Sequence, residues 1–188
     1  NDVRTETLSG VKEMKLFTFN GKVSSVSVNM GKAVLDGKAI PSTLEGDSVV
    51  AREIEVGGQN YSVTLVNVGN PHCVIFCDKV DAVDIANVGP LFENAPYFPQ
   101  RINTEFVRVV NDRTLKMRVW ERGNGETLAC GTGAAASVVA AVLGGYCRKD
   151  EDITVKVRGG DLIVRYDSDG TVTLTGNAKF VYEGTIEF

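Results

Sequence analysis

The chain has 188 residues, of which 43% are hydrophobic and 23% are charged, and its formal net charge is −4. These values are typical of an ordinary, mildly acidic globular protein with a sizeable core. They exclude the broad basic excess of a nucleic-acid-binding protein, and no apolar run is long enough to span a bilayer.

Short strands are predicted throughout the first half of the chain. Asn20-Gly21 separates two alternating polar–apolar segments, which is a strong hairpin signal, and GGQN (57–60) separates two more. Pro71 precedes a short apolar run that predicts a buried strand. The predicted strands of this half are MKLFTF (14–19), KVSSVSVNM (22–30), VVAREIEV (49–56), YSVTLVNV (61–68) and HCVIF (72–76).

The second half contains one convincing helix among further strands. A weak helix is predicted over 82–94, and the convincing one runs roughly from Gly131 to Gly144. Because this segment is apolar nearly all round, we expect the helix to be buried. The predicted strands are TEFVRVV (104–110), TLKMRVWE (114–121), DITVKV (152–157), DLIVRY (161–166), TVTLTG (171–176) and FVYEGTIEF (180–188). The pattern indicates an α+β fold of mostly antiparallel strands wrapped around a central buried helix.

The number and spacing of the cysteines indicate the cellular compartment of the protein and the kind of site that these residues can form. The four are Cys73, Cys77, Cys130 and Cys147, which is too few for a disulfide scaffold of this size. No signal-peptide pattern opens the chain, so we expect a reducing, cytoplasmic location. His72, Cys73 and Cys77 are poor zinc ligands because adjacent strand residues point to opposite faces. We therefore predict no metal site, and core packing for Cys73 and Cys77.

The run ERGNGETLACGTGAAASVVAAV (121–142) places Cys130 at the start of the convincing helix. Backbone N–H groups at a helix start favour a thiolate, with a pKa of about 3.5–7.5 in known cases against about 8.5 for a free thiol. The same groups bind carboxylates or phosphates. We therefore expect a reactive thiol beside an anion cradle, while a buried structural cysteine is the alternative.

Other motif assignments stay weaker. GTGAAA matches the dinucleotide fingerprint G-x-G-x-x-A, but that motif needs a parallel βαβ unit. A nucleophilic hydrolase would need His72 beside Cys130, which the sequence neither supports nor excludes. Asn70 and His72 lie in GNPHC (69–73) at the start of a predicted strand, and Glu121-Arg122 precedes the glycine-rich turn. Taken singly, each is also open to a structural interpretation, as a strand-entry turn for GNPHC and as a solvated charge pair for Glu121-Arg122.

Taken together, the motifs resemble the diaminopimelate epimerase family. GNPHCVIF, FPQRIN and ERGNGETLACGTGAAA occur in that order and spacing, and the resemblance extends from VNMG near the start to the closing YEGTIEF. It implies an isomerase that converts LL-2,6-diaminopimelate to meso-diaminopimelate on the route to lysine and peptidoglycan. It also implies a small-molecule substrate, no pyridoxal phosphate or other cofactor, no metal, and two cysteines on opposite sides of the substrate's α-carbon.

The resemblance also implies roles for individual residues. Cys130 corresponds to one of the two acid/base cysteines, and His72 and Glu121 to groups that support thiol ionisation and proton handling. The substrate-binding positions are Asn70, Asn103, Glu121, Arg122, Gly131 and Thr132. Among these, Arg122 is expected on a substrate carboxylate. The helix-end amides of Gly131 and Thr132 are expected on the carboxylate at the reacting centre.

The chain departs from the family pattern in one respect. The CGNG-like motif of the first catalytic cysteine is absent before residue 130, so the chain resembles the latter two-thirds of the enzyme. We expect residues 1–35 to be the tail of an N-terminal domain, 36–178 a C-terminal domain and 179–188 a strand that returns to the first domain. The family suggests a homodimer for the complete enzyme. The alternative is an inactive diamino-acid-binding or split-subunit domain of the same fold.

Overall fold

Twelve strands and two α-helices make up the computed structural model, which describes residues 1–7 and 10–187. The strands are β1 (Asp2–Thr7), β2 (Gly10–Phe19), β3 (Lys22–Lys32), β4 (Arg52–Val56), β5 (Gln59–Asn67), β6 (Pro71–Phe76), β7 (Asn103–Asn111), β8 (Thr114–Glu121), β9 (Gly125–Glu126), β10 (Asp152–Val157), β11 (Gly160–Tyr166) and β12 (Thr171–Asn177). The helices are α1 (Ile85–Glu93) and α2 (Gly131–Leu143), and a 3-10 turn (Val80–Ala82) precedes α1. Neither helix of the described chain has the length and apolar character needed to cross a membrane.

The strands form one mixed sheet in the order β1-β2-β3-β12-β11-β10-β8-β7-β6-β5-β4, with β9 beside β8. Two pairs, β6–β7 and β8–β10, are parallel, and the other described pairs are antiparallel. The prediction of a mostly antiparallel α+β fold is confirmed at this level.

The predicted hairpin turns form for the expected backbone reason. Asn20 and Gly21 join β2 to β3 with φ values of 50° and 73°, and Gly57 and Gly58 join β4 to β5 with φ values of 61° and 77°. Two successive residues with positive φ match the right-handed twist of the flanking strands. The convincing helix is also confirmed, since α2 begins at Gly131 and Gly144 caps its C-terminus.

The last predicted strand is wrong for the described residues. Residues 178–187 form neither helix nor strand, and Phe180, Val181 and Tyr182 are exposed. Ala178 donates its backbone N–H to the carbonyl of Ser24 in β3, but within the described chain no strand pairs with residues 179–187, so their backbone groups have no ladder to join. Leu8, Ser9 and Phe188 belong to the predicted terminal segments and lie outside the described residues. The domain boundaries at 35 and 178 stay predictions.

Two hydrophobic cores lie on opposite faces of the sheet. Helix α2 is buried from Gly133 to Ala141 and contacts β5, β6, β7, β8, β10, β11 and β12. Helix α1 covers a second core with Ile85 and Phe92. Strands around one central helix therefore describe only part of the molecule.

The two cores sort the side chains of β6 and β7 by alternation. Val74 and Val107 face α2, whereas Cys73, Ile75 and Phe106 belong to the core under α1. Alternation then places His72 on the α2 face, opposite Cys73. His72 and Cys73 therefore lie on opposite faces of the sheet, as the alternation of strand residues predicted.

Candidate active site

Four chain segments meet at one end of three inner strands of the sheet. They are the starts of β6, β7 and α2, and the end of β8. In the parallel β6–β7 pair, His72 is the register partner of Asn103. In the antiparallel β7–β8 pair, Thr104 is opposite Trp120, so β8 ends where β7 begins. The topology thus brings most of the residues singled out in the sequence to the same end of these strands.

His72 is fully buried between two polar partners. Its Nδ1 lies 2.7 Å from Oε1 of Glu105, and its Nε2 lies 2.9 Å from Oδ1 of Asn70. The resulting chain of contacts leads from a buried carboxylate in β7 to the half-buried Asn70 in the turn before β6. Asn70 and His72 therefore form one hydrogen-bonded unit.

Asn103 connects the start of β6 to the turn after β8. Its Nδ2 donates to the carbonyl of Pro71 at 2.8 Å, and its Oδ1 accepts from the backbone N–H of Arg122 at 3.0 Å. Nη1 of Arg122 donates to the carbonyl of Gln100 at 3.0 Å. Both polar atoms of the Asn103 side chain are thus engaged with backbone, so this residue fixes the position of Arg122. Its contact with a substrate stays a prediction.

Glu121 is half-buried at the end of β8, and the hydroxyl of Thr127 donates to its Oε1. Thr127 was not singled out in the sequence. It lies after β9 in the segment that leads to Cys130, so the hydrogen bond ties Glu121 to the approach to α2.

Cys130 caps the N-terminus of α2. Its backbone is extended, with φ −135° and ψ 110°, and its Sγ accepts from the N–H of Gly133 at 3.3 Å. The hydroxyl of Thr132 lies 3.4 Å from the same sulfur. Sulfur here takes the place of the oxygen that Ser or Asp supplies at most helix starts. The predicted position of the thiol at a helix start is confirmed.

The predicted lowering of its pKa is wrong. Burial, and then the negative charge of Glu105, raise the pKa of Cys130 from about 9.0 to about 11. The hydrogen bonds from Thr132 and Gly133 act in the opposite direction, and the charge of Glu121 adds a small rise. The helix-start donors are therefore outweighed, and Cys130 is a protonated thiol near neutral pH.

The other cysteines lie away from this end of the strands. Cys73 belongs to the core under α1, where burial followed by the charge of Glu105 raises its pKa. Cys77 follows β6, at the end away from His72, and Cys147 follows α2, beyond its C-terminus. Within residues 1–7 and 10–187, no cluster of three His, Cys, Asp or Glu side chains could hold a metal ion.

Two buried glutamates, Glu93 and Glu105, were not among the site residues predicted from the sequence. Glu105 is the partner of His72, and its spacing of two residues from Asn103, at the start of the strand, was the signal that could have placed it on the face of Asn103. Glu93 accepts from Arg101, Trp120 and the N–H of Gly123, and so holds the turn that follows Arg122. Its signal was weaker, since it lies in the less certain helix.

The chain is similar to known epimerases. A family model described as diaminopimelate epimerase matches residues 64–181. A diaminopimelate epimerase of Desulfitobacterium hafniense is 43% identical over 186 residues, covering 99% of this chain and 65% of that protein. Another, from Synechococcus elongatus, is 53% identical over 164 residues, covering 86% of this chain and 58% of that protein. The chain thus spans less than two thirds of the length of these relatives.

Among solved structures, a hydroxyproline epimerase from Agrobacterium vitis with bound trans-4-hydroxy-L-proline matches with a TM-score of 0.69. The match covers 97% of this chain and 57% of that one at 14% identity. At that identity the match shows a shared fold and nothing finer.

Proposed function

The chain belongs to the diaminopimelate epimerase family, and from this premise we propose that it supplies one of two acid/base thiols that convert LL-2,6-diaminopimelate to the meso isomer. The observation that carries the proposal is the position of Cys130 at the N-cap of α2. Asn70, Asn103 and Arg122 lie at the same end of strands β6, β7 and β8. The product serves lysine and peptidoglycan synthesis.

The proton transfer needs groups on both faces of the α-carbon. A base on one face removes the α-proton, and the electron pair moves into the adjacent carboxylate. Backbone N–H groups of Gly131 and Thr132 and the guanidinium of Arg122 are suited to hold that charge, because fixed donors in a water-poor site stabilise it strongly. Cys130 then gives its S–H proton to the opposite face and is left as a thiolate. The reverse reaction exchanges the two roles.

The raised pKa of Cys130 supports its assignment as the proton donor of the resting site. The thiolate formed after donation keeps the hydrogen bond from Gly133 and the neighbouring hydroxyl of Thr132. His72 and Glu121 would handle protons around the two thiols. Glu121, Asn70 and Asn103 would bind the polar groups of the substrate. The proposed chemistry requires no cofactor and no metal.

A second candidate function rests on the count of thiols. In the described part of the chain Cys130 is the one cysteine at this end of the strands. Inversion needs an acid and a base on opposite faces of the substrate's α-carbon. An inactive diamino-acid-binding domain, or a subunit that pairs with a second polypeptide, is therefore the alternative. Either way, we expect the 188-residue chain alone not to interconvert the two isomers.

The test joins this chain to the N-terminal remainder of the Desulfitobacterium hafniense relative and assays each isomer in D2O by proton NMR. We expect the joined protein, as a homodimer, to invert both isomers, and Cys130→Ser to slow inversion severely because a hydroxyl is a far weaker acid than a thiol. Residual exchange without inversion should be faster from one isomer than from the other. A serine variant that inverts at the unchanged rate would remove Cys130 from catalysis.

A further inference from the structure

Glu105 is a buried ionisable residue for which the proposed reaction has no role. It is the third residue of β7, its side chain is 0% exposed, and it points to the α2 face of the sheet with Asn103. Removing a carboxylate from water is costly unless partners compensate for the lost hydration. The partners of Glu105 therefore indicate what the residue does.

One oxygen of the Glu105 carboxylate has a single strong partner. Oε1 lies 2.7 Å from Nδ1 of His72, whose side chain is also 0% exposed. The other oxygen, Oε2, is buried and has no hydrogen-bond partner among the described residues. A carboxylate that served only to fix the fold would use both oxygens, as they offer about four acceptor positions. Glu105 instead directs its hydrogen bonding to the imidazole.

The opposite side of the imidazole reaches the candidate site. Nε2 of His72 lies 2.9 Å from the side-chain amide of Asn70. The oxygen and nitrogen of that amide exchange places on rotation, so Asn70 can donate to a neutral Nε2 or accept from a protonated one. The side chain of Asn70 thus suits both protonation states of the ring.

Helix α2 begins close to Glu105 because residue 133 is glycine. A Cβ at Gly133 would lie 2.7 Å from Oε1 of Glu105 and 3.3 Å from Sγ of Cys130. The carboxylate and the thiol therefore border the same small space. This closeness accounts for the rise that the charge of Glu105, after burial, produces in the pKa of Cys130.

We infer that Glu105 is a positioning residue for His72: its carboxylate accepts the Nδ1–H of the ring and leaves Nε2, beside Asn70, as the nitrogen that takes up and releases a proton. When Nε2 gains a proton, the amide of Asn70 turns its oxygen toward it, and the carboxylate balances the charge of the imidazolium. The inference rests on the proposed function for its purpose, but the tautomer that it specifies is a property of this chain alone.

The tautomer can be read directly because the sequence contains one histidine. In a chain with 15N-labelled histidine, we expect a protonated Nδ1 and an unprotonated Nε2 in the neutral ring. In Glu105→Leu the acceptor is lost, and we expect the ring to change to the Nε2–H tautomer, which donates to Asn70. Glu105→Gln, whose amide oxygen can still accept, should retain much of the wild-type tautomer. A wild-type ring that is protonated at Nε2 would overturn the inference, whether or not the leucine variant folds.

Thr104→Val is the matched control. Thr104 precedes Glu105, is also fully buried, and its hydroxyl likewise has no partner among the described residues, but alternation places it on the opposite face. The valine keeps the shape of the side chain, so we expect an unchanged tautomer. A change of tautomer in this variant equal to that in Glu105→Leu would show a general packing effect and contradict the inference.

The thiol provides a second reading of the same charge. The charges of Glu105 on β7 and Glu121 at the end of β8 both act on the Cys130 thiol, and His72 on β6 contacts Glu105. Glu105→Gln removes one negative charge near the sulfur, and we expect alkylation of Cys130 at pH 8 to become roughly tenfold faster. Alkylation of Cys147, beyond the far end of α2, should not change. Equal rates at Cys130 in the two proteins would contradict the placement of an ionised Glu105 beside the thiol.

Activity separates this inference from the proposed function. In the joined protein, we expect Glu105→Leu to lower kcat at least tenfold with little change in KM, because the ring loses its acceptor while residue 105 does not contact substrate. If the joined wild-type protein is inactive, the proposed function fails, while the tautomer still decides the role of Glu105. A Glu105→Leu variant with a changed tautomer and an unchanged kcat would overturn the positioning role.

Discussion

Two buried glutamates on opposite faces of the sheet use their carboxylates differently. Glu93, at the end of α1, accepts hydrogen bonds on both oxygens from the side chains of Arg101 and Trp120 and from the N–H of Gly123. Glu105, in β7, has one partner, His72, and its second oxygen has none among the described residues. Both are almost inaccessible, with exposures of 6% and 0%.

The difference separates a carboxylate that holds the fold from one that is available to a site. The three donors of Glu93 come from a loop, a strand and a turn, so its loss disturbs all three. The one strong hydrogen bond of Glu105 goes to a titratable ring. Burial alone therefore does not distinguish structural from functional acids, whereas the number and kind of donors do.

The largest effect is expected from Glu93→Ala. It removes the charged acceptor of the half-buried Trp120 Nε1, of Arg101 Nη1 and of the N–H of Gly123, and a hydrogen bond to a charged group contributes about 1.5–3 kcal/mol. We expect a loss of about 3 kcal/mol in the free energy of unfolding, measured by urea denaturation. Glu55→Ala, at an exposed position in β4, is the control and should change it by less than about 0.5 kcal/mol. Equal losses in the two variants would remove the distinction drawn for Glu93.

The space beside Glu105 is tested by two glycines in the first turn of α2. Alanine favours a helix over glycine by about 1 kcal/mol. At Gly131 a Cβ would meet only the flexible end of Leu174, at 2.8 Å, so we expect Gly131→Ala to be neutral or stabilising. At Gly133 it would meet the buried Glu105 carboxylate at 2.7 Å, and we expect a net loss of about 2 kcal/mol. Thermal unfolding of both variants checks the pair, and a Gly133→Ala chain as stable as Gly131→Ala would contradict the close approach.

Part of this architecture follows from local signals in the sequence. Asn20-Gly21 fixes a turn through backbone conformations that these residues adopt readily, and the apolar run after Cys130 makes a buried helix. The position of Cys130 at the helix start is equally local. In these cases the determining residues lie within a few positions of one another.

The remainder depends on contacts between distant segments. The pKa of Cys130 rises because the thiol is buried and, secondly, because β7 brings Glu105 to the first turn of α2, and neither fact is visible near residue 130. Residues 180–187 have a strand-like pattern but no strand of the described chain beside them. Glu93 was missed because its donors come from three separate segments.

The raised pKa of Cys130, which burial and then the charge of Glu105 produce, is also tested by changing the pH. Below about pH 9 its thiol is protonated in the folded and unfolded chain alike, so it does not affect stability. Between pH 9 and about 11 the unfolded chain loses this proton and the folded chain keeps it, so stability falls as pH rises. The contribution of this thiol should be about 1 kcal/mol by pH 10. Urea denaturation at pH 8 and pH 10 should show a smaller fall for Cys130→Ala than for the wild type, and parallel falls would contradict the raised pKa.

The smallest effect concerns a third glutamate, Glu121, which is half-buried and accepts from the hydroxyl of Thr127. Thr127→Val keeps the side-chain shape and removes that donor. We expect a loss of about 0.5–1 kcal/mol in the free energy of unfolding, because water can replace the hydroxyl at a half-buried carboxylate. Thermal denaturation measures it. A loss as large as that for Glu93→Ala would place Glu121 among the carboxylates that hold the fold.

The pairing of β3 with β12 has a consequence for synthesis of the chain on the ribosome. Ser27 in β3 and Thr175 in β12 are hydrogen-bonded across 148 positions of sequence. At about 5–20 residues per second, roughly 7–30 s pass between translation of the two strands. During that interval the β2–β3 hairpin has emerged while the edge of β3 lacks its neighbour. Until β12 emerges, the nascent chain therefore presents an open strand edge, the kind of surface that pairs with other chains.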